Sequence, residues 1–275
     1  MTKARRLLAT VMLFSTMCCM NTVAFAWTQV GDFEGGVVGQ PANGATGMNE
    51  AFSKSSISSD RAFDGTKSAK MGIDAGTTGS SSWGGIMYHP VNLYEGSEVW
   101  FRVSTNFPAS FNLTGNPRLK FLRVHTLSSA GGNDGYLDLY ILPQGGFSHD
   151  NELTGISTIE GVGGAPFGKA IVKDVWESYE VYVKFSAQPG NGIFRAWQNG
   201  KLIYENKIQR TLSSSSSWSD RAHLFTYWNG NAPQTQSMYV DDVIITSDRP
   251  SCQDENGNYM IGPAKSSAPR CTAVR

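Results

Sequence analysis

The chain has no Gly-x-Ser-x-Gly, no His-Glu-x-x-His and no Gly-rich phosphate loop. Those absences remove the serine-hydrolase elbow, the zinc-peptidase helix and the P-loop as sources of chemistry. Histidine is scarce, at 4 in 275 residues. No long stretch carries helical periodicity, so a helical bundle is excluded. Beyond residue 26 no apolar run approaches the ~20 residues that cross a bilayer, so the mature chain is not expected to insert into a membrane. Nor is there a basic excess: Lys+Arg and Asp+Glu both number 23. A duplex nucleic-acid partner would call for a cationic surface, so none is expected.

What is present begins with a leader. Lys3, Arg5 and Arg6 precede an apolar run from Leu7 to Met20, and Ala24-Phe25-Ala26 places small residues where a signal peptidase reads. Residues 1–26 therefore read as a signal peptide, with the mature protein starting at Trp27, exported and either secreted or periplasmic. Losing the leader removes three cations and no anion, leaving acid in slight excess. Of the 4 cysteines only Cys252 and Cys271 remain. In an oxidising compartment such a pair reads as a disulfide closing a Gly-, Asn- and Ser-rich tail; two free thiols are the alternative. The chain thus divides into a leader, one domain over residues 27–248, and a tail over 249–275. A monomer is expected.

Short apolar alternations broken by Gly, Asn, Ser and Pro, with 30 glycines and 11% aromatics, are the pattern of an all-β antiparallel sandwich. Strands are predicted at Gly31–Glu34, Ser68–Ile73, Gly84–His89, Glu98–Val103, Leu119–Thr126, Tyr136–Leu142, Glu177–Phe185, Gly192–Gln198, Lys201–Asn206, His223–Trp228 and Ser237–Thr246. Asn199-Gly200 predicts a type I′ hairpin turn.

Alternation sorts each strand into two faces. Phe101, Val103, Val181, Val183, Phe185, Phe194, Ala196, Leu137, Leu139 and Ile141 are assigned to the core. Their neighbours are not the usual Thr, Ser and Glu of a solvated face. They are Trp100, Arg102, Tyr136, Asp138, Tyr140, Tyr182, Lys184, Arg195 and Trp197. In Leu119–Thr126, Leu122 and Val124 suit the core, which puts Phe121, Arg123 and His125 opposite. Rings beside long donors suit a sugar, whose C–H faces stack and whose hydroxyls or carboxylates take the donors. The competing reading is that these aromatics pack under loops or another layer.

Four segments carry a resemblance. Asp32-Phe33-Glu34-Gly35, Gly65-Thr66-Lys67-Ser68-Ala69-Lys70, Tyr239-Val240-Asp241-Asp242-Val243 and the hairpin from Phe194 to Tyr204 resemble, in order and spacing, strands of the concanavalin A-like lectin/glucanase jelly-roll superfamily. The likeness is greatest to its polysaccharide-lyase members of the alginate, heparin and glucuronan lyase type, and it covers most of Gly31 to Asp248. It implies a jelly roll that binds a polysaccharide or oligosaccharide. It also implies a structural Ca²⁺ between the first and last strands, held by Glu34, by Asp241 or Asp242, and by carbonyls near Gly65 and Lys67; no other cofactor is implied.

A retaining glucanase of this fold would need paired carboxylates in a Glu-x-Asp-x-x-Glu run, and the sequence has none. A uronate lyase needs a group to neutralise the sugar carboxylate, a base for the adjacent proton and an acid for the leaving oxygen. Arg123, His125 and Tyr140 are the catalytic candidates. Trp100, Arg102, Tyr136, Asp138, Tyr182, Lys184, Arg195, Trp197 and Tyr227 are the substrate-binding candidates. The Gln-x-His of jelly-roll lyases stands here as Arg123-Val124-His125, and their closing Tyr-x-Lys-x-Gly-x-Tyr is missing. The expected function is therefore binding, and cleavage by β-elimination, of an acidic polysaccharide. A non-catalytic carbohydrate-binding or adhesion module and a structural surface protein are the alternatives.

Overall fold

Leu137, Leu139 and Ile141 are fully buried between two sheets while Tyr136, Asp138 and Tyr140 leave the opposite side of the same strand, and that period of two repeats through the chain. The computed structural model describes residues 26–79, 82–114, 118–162, 165–225 and 228–263. The leader up to residue 25, Tyr227 and Cys271 lie outside the described residues.

No helix occurs among the described residues. In chain order the strands are β1 (Thr28–Gly31), β2 (Glu50–Ala51), β3 (Ser55–Ser58), β4 (Ser68–Ile73), β5 (Gly85–Leu93), β6 (Glu98–Asn106), β7 (Leu119–Leu127), β8 (Asn133–Ile141) and β9 (Phe147–Asn151). They continue as β10 (Thr158–Glu160), β11 (Trp176–Lys184), β12 (Ile193–Gln198), β13 (Lys201–Asn206), β14 (Trp218–Leu224), β15 (Gln236–Thr246), β16 (Cys252–Gln253) and β17 (Tyr259–Met260). An 8-stranded sheet runs β13-β12-β11-β6-β15-β4-β3, with β1 added along β15; a 7-stranded sheet runs β10-β9-β8-β7-β14-β5-β2. All their pairings are antiparallel. The core between them takes Phe101, Val103, Val181 and Val183 from one sheet and Leu122, Val124, Leu137 and Leu139 from the other. This is the antiparallel sandwich expected from the alternation, with the jelly-roll arrangement that the resemblance implied.

Two predicted strands are shifted, each where a residue enters the left-handed region. Phe33 has φ 60°, so the opening strand is Thr28–Gly31 and not Gly31–Glu34. Phe225 has φ 49°, which ends β14 at Leu224. The Asn199-Gly200 turn holds φ 50° and 77°, as a type I′ turn requires. A register shift between Lys120 and Leu122 turns Phe121 into the core, against its predicted place beside Arg123. A second irregularity between Asp241 and Ile244, with Asp242 at φ 50°, takes both aspartates out of the core. Strict alternation would have separated them.

The described part of the tail is not a loose appendage. Strands β16 and β17 pair with each other and lie on the outer face of the 8-stranded sheet, where Cys252 and Met260 pack with Trp100, Tyr182 and Trp197. The Trp100 indole donates to the Tyr259 carbonyl at 2.8 Å and the Trp197 indole to Asp254 at 2.9 Å. Glu180 accepts the amides of Ile261 and Gly262 at 2.7 and 3.0 Å, and Arg102 donates to the Gly262 carbonyl at 2.7 Å.

Burial pushes the Glu180 carboxyl up to about 7, against the pull of those two amides and Arg102. The folded state therefore holds this proton over a range where the unfolded chain has released it, from an ordinary 4.5 up to about 7. Stability from this group is complete below that window and falls as pH rises through it. A Glu180→Gln variant is expected to lose on the order of 1–3 kcal/mol less than the parent between about pH 5 and 7. Urea midpoints at both pH values check this, and equal losses in the two proteins would refute it.

Candidate functional site on the seven-stranded sheet

Register assembles one side of the 7-stranded sheet. Across β7 and β8, Arg123 stands opposite Asp138 and His125 opposite Tyr136; across β14 and β7, Arg221 stands opposite His125 and His223 opposite Arg123. Because facing residues in an antiparallel pair share a side, these six side chains converge away from the core.

Arg123 is the centre of the arrangement. Its Nε donates to Asp138 Oδ1 at 2.6 Å and its Nη2 to Asp138 Oδ2 at 3.2 Å. The guanidinium carbon lies 3.6 Å from the Tyr136 ring centre, within cation–π range. Burial lifts the Asp138 carboxyl to about 6, although Arg123 pulls it down. Glu152, just past β9, accepts the Tyr140 hydroxyl at 2.7 Å, Arg123 Nη2 at 3.2 Å and Lys120 Nζ at 3.4 Å. Further along, Arg118 pairs with Asp150 and covers the Tyr140 ring at 4.7 Å. At the other end Arg221 pairs with Asp220 and covers the Tyr88 ring at 5.0 Å.

The two histidines differ. His125 has both ring nitrogens engaged, Nδ1 with Asp220 at 2.8 Å and Nε2 with Asn133 at 2.9 Å. His223 sits 5.8 Å from His125 and 5.7 Å from Tyr136, ring centre to ring centre, and neither of its nitrogens has a hydrogen-bond partner among the described residues. Burial first, and then the charge of Arg123, hold its pKa well below the ordinary 6.5, so it is a neutral imidazole at neutral pH. Burial also lifts the Tyr136 phenol above 10, outweighing Arg123, which keeps that hydroxyl protonated.

The sequence-derived site divides between two sheets. Arg123, His125, Tyr136, Asp138 and Tyr140 do share one side. Trp100, Arg102, Tyr182, Lys184, Arg195 and Trp197 belong to β6, β11 and β12 of the other sheet. There Trp100, Arg102, Tyr182 and Trp197 are at most 4% exposed, beneath the tail, and Arg195 pairs with Glu205 at 2.5 Å. The competing reading, aromatics packed under another layer, describes that face. Alternation told inside from outside on each strand but carried no information about which sheet a strand joins. Tyr140 is fully buried with its hydroxyl committed to Glu152, so Tyr136 is the phenol that reaches the surface. His149 is a wholly buried residue of β9 stacked on Phe194 at 4.0 Å. Glu152 and Asp220 were not anticipated. The strand leading to Glu152, Phe147-Ser-His-Asp-Asn151, has no β-branched residue to announce it.

The residues implied for Ca²⁺ do not fit an ion as they are arranged. The Glu34 carboxylate accepts the Thr66 and Lys67 amides at 2.9 and 2.7 Å. The Lys67 ammonium binds the carbonyls of Glu34 and Gly36 at 2.7 and 2.9 Å, taking up oxygens that a cation would need. Asp241 accepts the amides of Phe63 and Asp242, both at 2.8 Å, and Asp242 pairs with Arg102 at 2.5 Å. Among the described residues no group of three or more His, Cys, Asp or Glu side chains is placed to hold a metal. Six to eight oxygens around one centre is the Ca²⁺ requirement, and here the oxygens face N–H groups instead.

No family model matches this sequence, and no curated protein matches it. Solved structures do resemble it. Against the endo-β-1,4-glucuronan lyase of the fungus Trichoderma reesei the TM-score is 0.55 at 12% identity, covering 81% of this chain and 98% of that one. Against the marine PL-14 alginate lyase of Aplysia kurodai it is 0.58 at 13% identity, covering 81% and 99%. Against an alginate lyase from Chlorella virus it is 0.53 at 16% identity, covering 72% and 90%. With identities this low the likeness lies in the fold, and the chain has the jelly-roll sandwich of these solved lyases.

Proposed function

We propose that the outer side of the 7-stranded sheet binds an acidic polysaccharide and cleaves it by β-elimination. The observation that carries this reading is the meeting of His125, His223 and Tyr136, with ring centres 4.9–5.8 Å apart, beside the Arg123 guanidinium. His223, neutral and without a hydrogen-bond partner among the described residues, takes the proton from the carbon next to the sugar carboxylate. The electron pair left behind forms the carbon–carbon double bond as the glycosidic carbon–oxygen bond breaks. The departing oxygen takes a proton from the Tyr136 hydroxyl. Arg123 and Lys120 meet the sugar carboxylate and lower the cost of the negative charge that develops. His125, clamped by Asp220 and Asn133, orients the Tyr136 ring 4.9 Å away. The protein acts as an exported monomer, secreted or periplasmic, with Cys252 and Cys271 joined to close the tail.

Incubation with a panel of glucuronate, mannuronate, guluronate and galacturonate polymers tests this, followed by the ultraviolet absorbance of the unsaturated sugar product. Signal on at least one polymer is expected. A second reading, a carbohydrate-binding module without catalysis, draws on Arg123 being already neutralised by Asp138; it predicts retardation in a polysaccharide affinity gel with no product. Neither product nor retardation on any polymer would overturn both readings.

A further inference from the structure

Four cations described on this side of the sheet each have a carboxylate partner. Arg123 has Asp138 and Glu152, Lys120 has Glu152, Arg118 has Asp150, and Arg221 has Asp220. A surface that is to receive a sugar carboxylate must therefore release one of its own, and the four carboxylates are not equally able to leave. The Asp138 side chain is 0% exposed, that of Asp150 1%, and that of Asp220 15% with His125 and Arg221 both bound to it. The Glu152 side chain is 33% exposed and projects from the loop beyond β9.

Glu152 also occupies the informative position. One of its oxygens takes the Tyr140 hydroxyl and the other takes Arg123 Nη2 and Lys120 Nζ. A phenol, a guanidinium and an ammonium thus converge on a single carboxylate, the donor set that would recognise a uronate. The backbone beneath it is tied to β8. The Glu152 amide donates to the Tyr136 carbonyl at 2.8 Å and the Thr154 amide to the Asp134 carbonyl at 2.9 Å. Gly135, at φ 111°, allows the two strands this approach, since a Cβ there would collide with the Glu152 carbonyl oxygen. The side chain can swing out without moving the main chain. Arg123 would stay in place when it did, because Asp138 holds it through two further hydrogen bonds.

We infer that the Glu152 carboxylate is a built-in stand-in for the carboxylate of a uronate residue, and that acidic saccharides bind by displacing it. The inference rests on the reading of this side of the sheet as the saccharide site and adds its gate. Glu152 competes with every acidic ligand and leaves neutral ones unaffected. It thereby sets the affinity threshold of the site for acidic polymers, while the preference for a carboxylate comes from the Tyr140, Arg123 and Lys120 donors that Glu152 vacates.

Affinity of the mature protein for linear oligoglucuronate, oligomannuronate and oligogalacturonate, with a cello-oligosaccharide of equal length as neutral control, is the measurement. Isothermal calorimetry of the parent, Glu152→Ala and Glu152→Gln provides it. Both variants are expected to bind the preferred uronate oligomer at least about tenfold more tightly, as removal of one charge-assisted competitor implies, with binding of the neutral oligomer unchanged. Glu152→Gln keeps an acceptor for the Tyr140 hydroxyl, so it decides the matter if Glu152→Ala does not fold. Equal or weaker uronate binding by the variants, with measurable binding by the parent that is lost in Tyr136→Ala, overturns the inference and leaves the site standing. Absence of binding to all oligomers by all three proteins overturns both.

Discussion

An Asp138→Ala variant is expected to lose about 3–5 kcal/mol of unfolding free energy, the cost of leaving a buried guanidinium without its partner. Arg123 and Asp138 are 4% and 0% exposed. An arginine cannot escape by giving up its proton, so the charge remains in a nearly buried site. Glu152 compensates only in part, at 3.2 Å and from a position one-third exposed. The pair formed by Lys54 and Asp74 is the control, with side chains 41% and 47% exposed. Asp74→Ala should change stability by less than about 1 kcal/mol, because solvent screens such pairs. Urea unfolding of the two variants decides the point: a loss at Asp138 no larger than that at Asp74 would mean that the guanidinium is solvated after all. The joint Arg123→Leu/Asp138→Leu replacement should recover much of the loss, since an apolar pair in place of a buried ion pair is often near neutral.

Replacing His223 with leucine should lower kcat on the polymer that the protein cleaves by about 10²–10⁴-fold, the contribution of one positioned base. The same variant should fold as well as the parent, or better. A buried imidazole with neither nitrogen bonded costs about 1–3 kcal/mol, and leucine removes that cost. Loss of activity together with retained stability is what a group kept for the substrate predicts. A structural histidine would lose both. The pH profile offers a second check. With the His223 pKa held well below 6.5 by burial, the base form persists as pH falls, and kcat/KM should show no acid limb from this residue between about pH 7 and 6. Unchanged turnover in the variant would remove His223 from the mechanism, and a large fall in the melting midpoint would make it structural.

Much of the layer arrangement was legible because alternation is local. Leu137, Leu139 and Ile141 against Tyr136, Asp138 and Tyr140 is a pattern written within six residues, and Arg123-Val124-His125 is as local. The type I′ turn at Asn199-Gly200 was equally readable, since two residues able to hold positive φ suffice. Phe121 was misassigned, and Asp241 and Asp242 leave the core together, for one reason: each sits at a register shift, where a strand gains a residue relative to its neighbour. Nothing in the composition of those segments marks the shift.

By itself the sequence determined an all-β sandwich and, strand by strand, which residues leave the core. It also determined that Arg123 and His125 share a side. Tertiary structure alone decided the company those residues keep. β6 lies between β11 and β15, while β7 lies between β8 and β14. That choice sends Trp100, Tyr182 and Trp197 under the tail and brings His223, Asp220 and Glu152 to Arg123. The physical reason is range. Side-chain alternation follows from the geometry of a single extended chain. Strand partnership comes from contacts between segments such as 119–127 and 218–224, far apart in the chain, which cooperate only once both are folded.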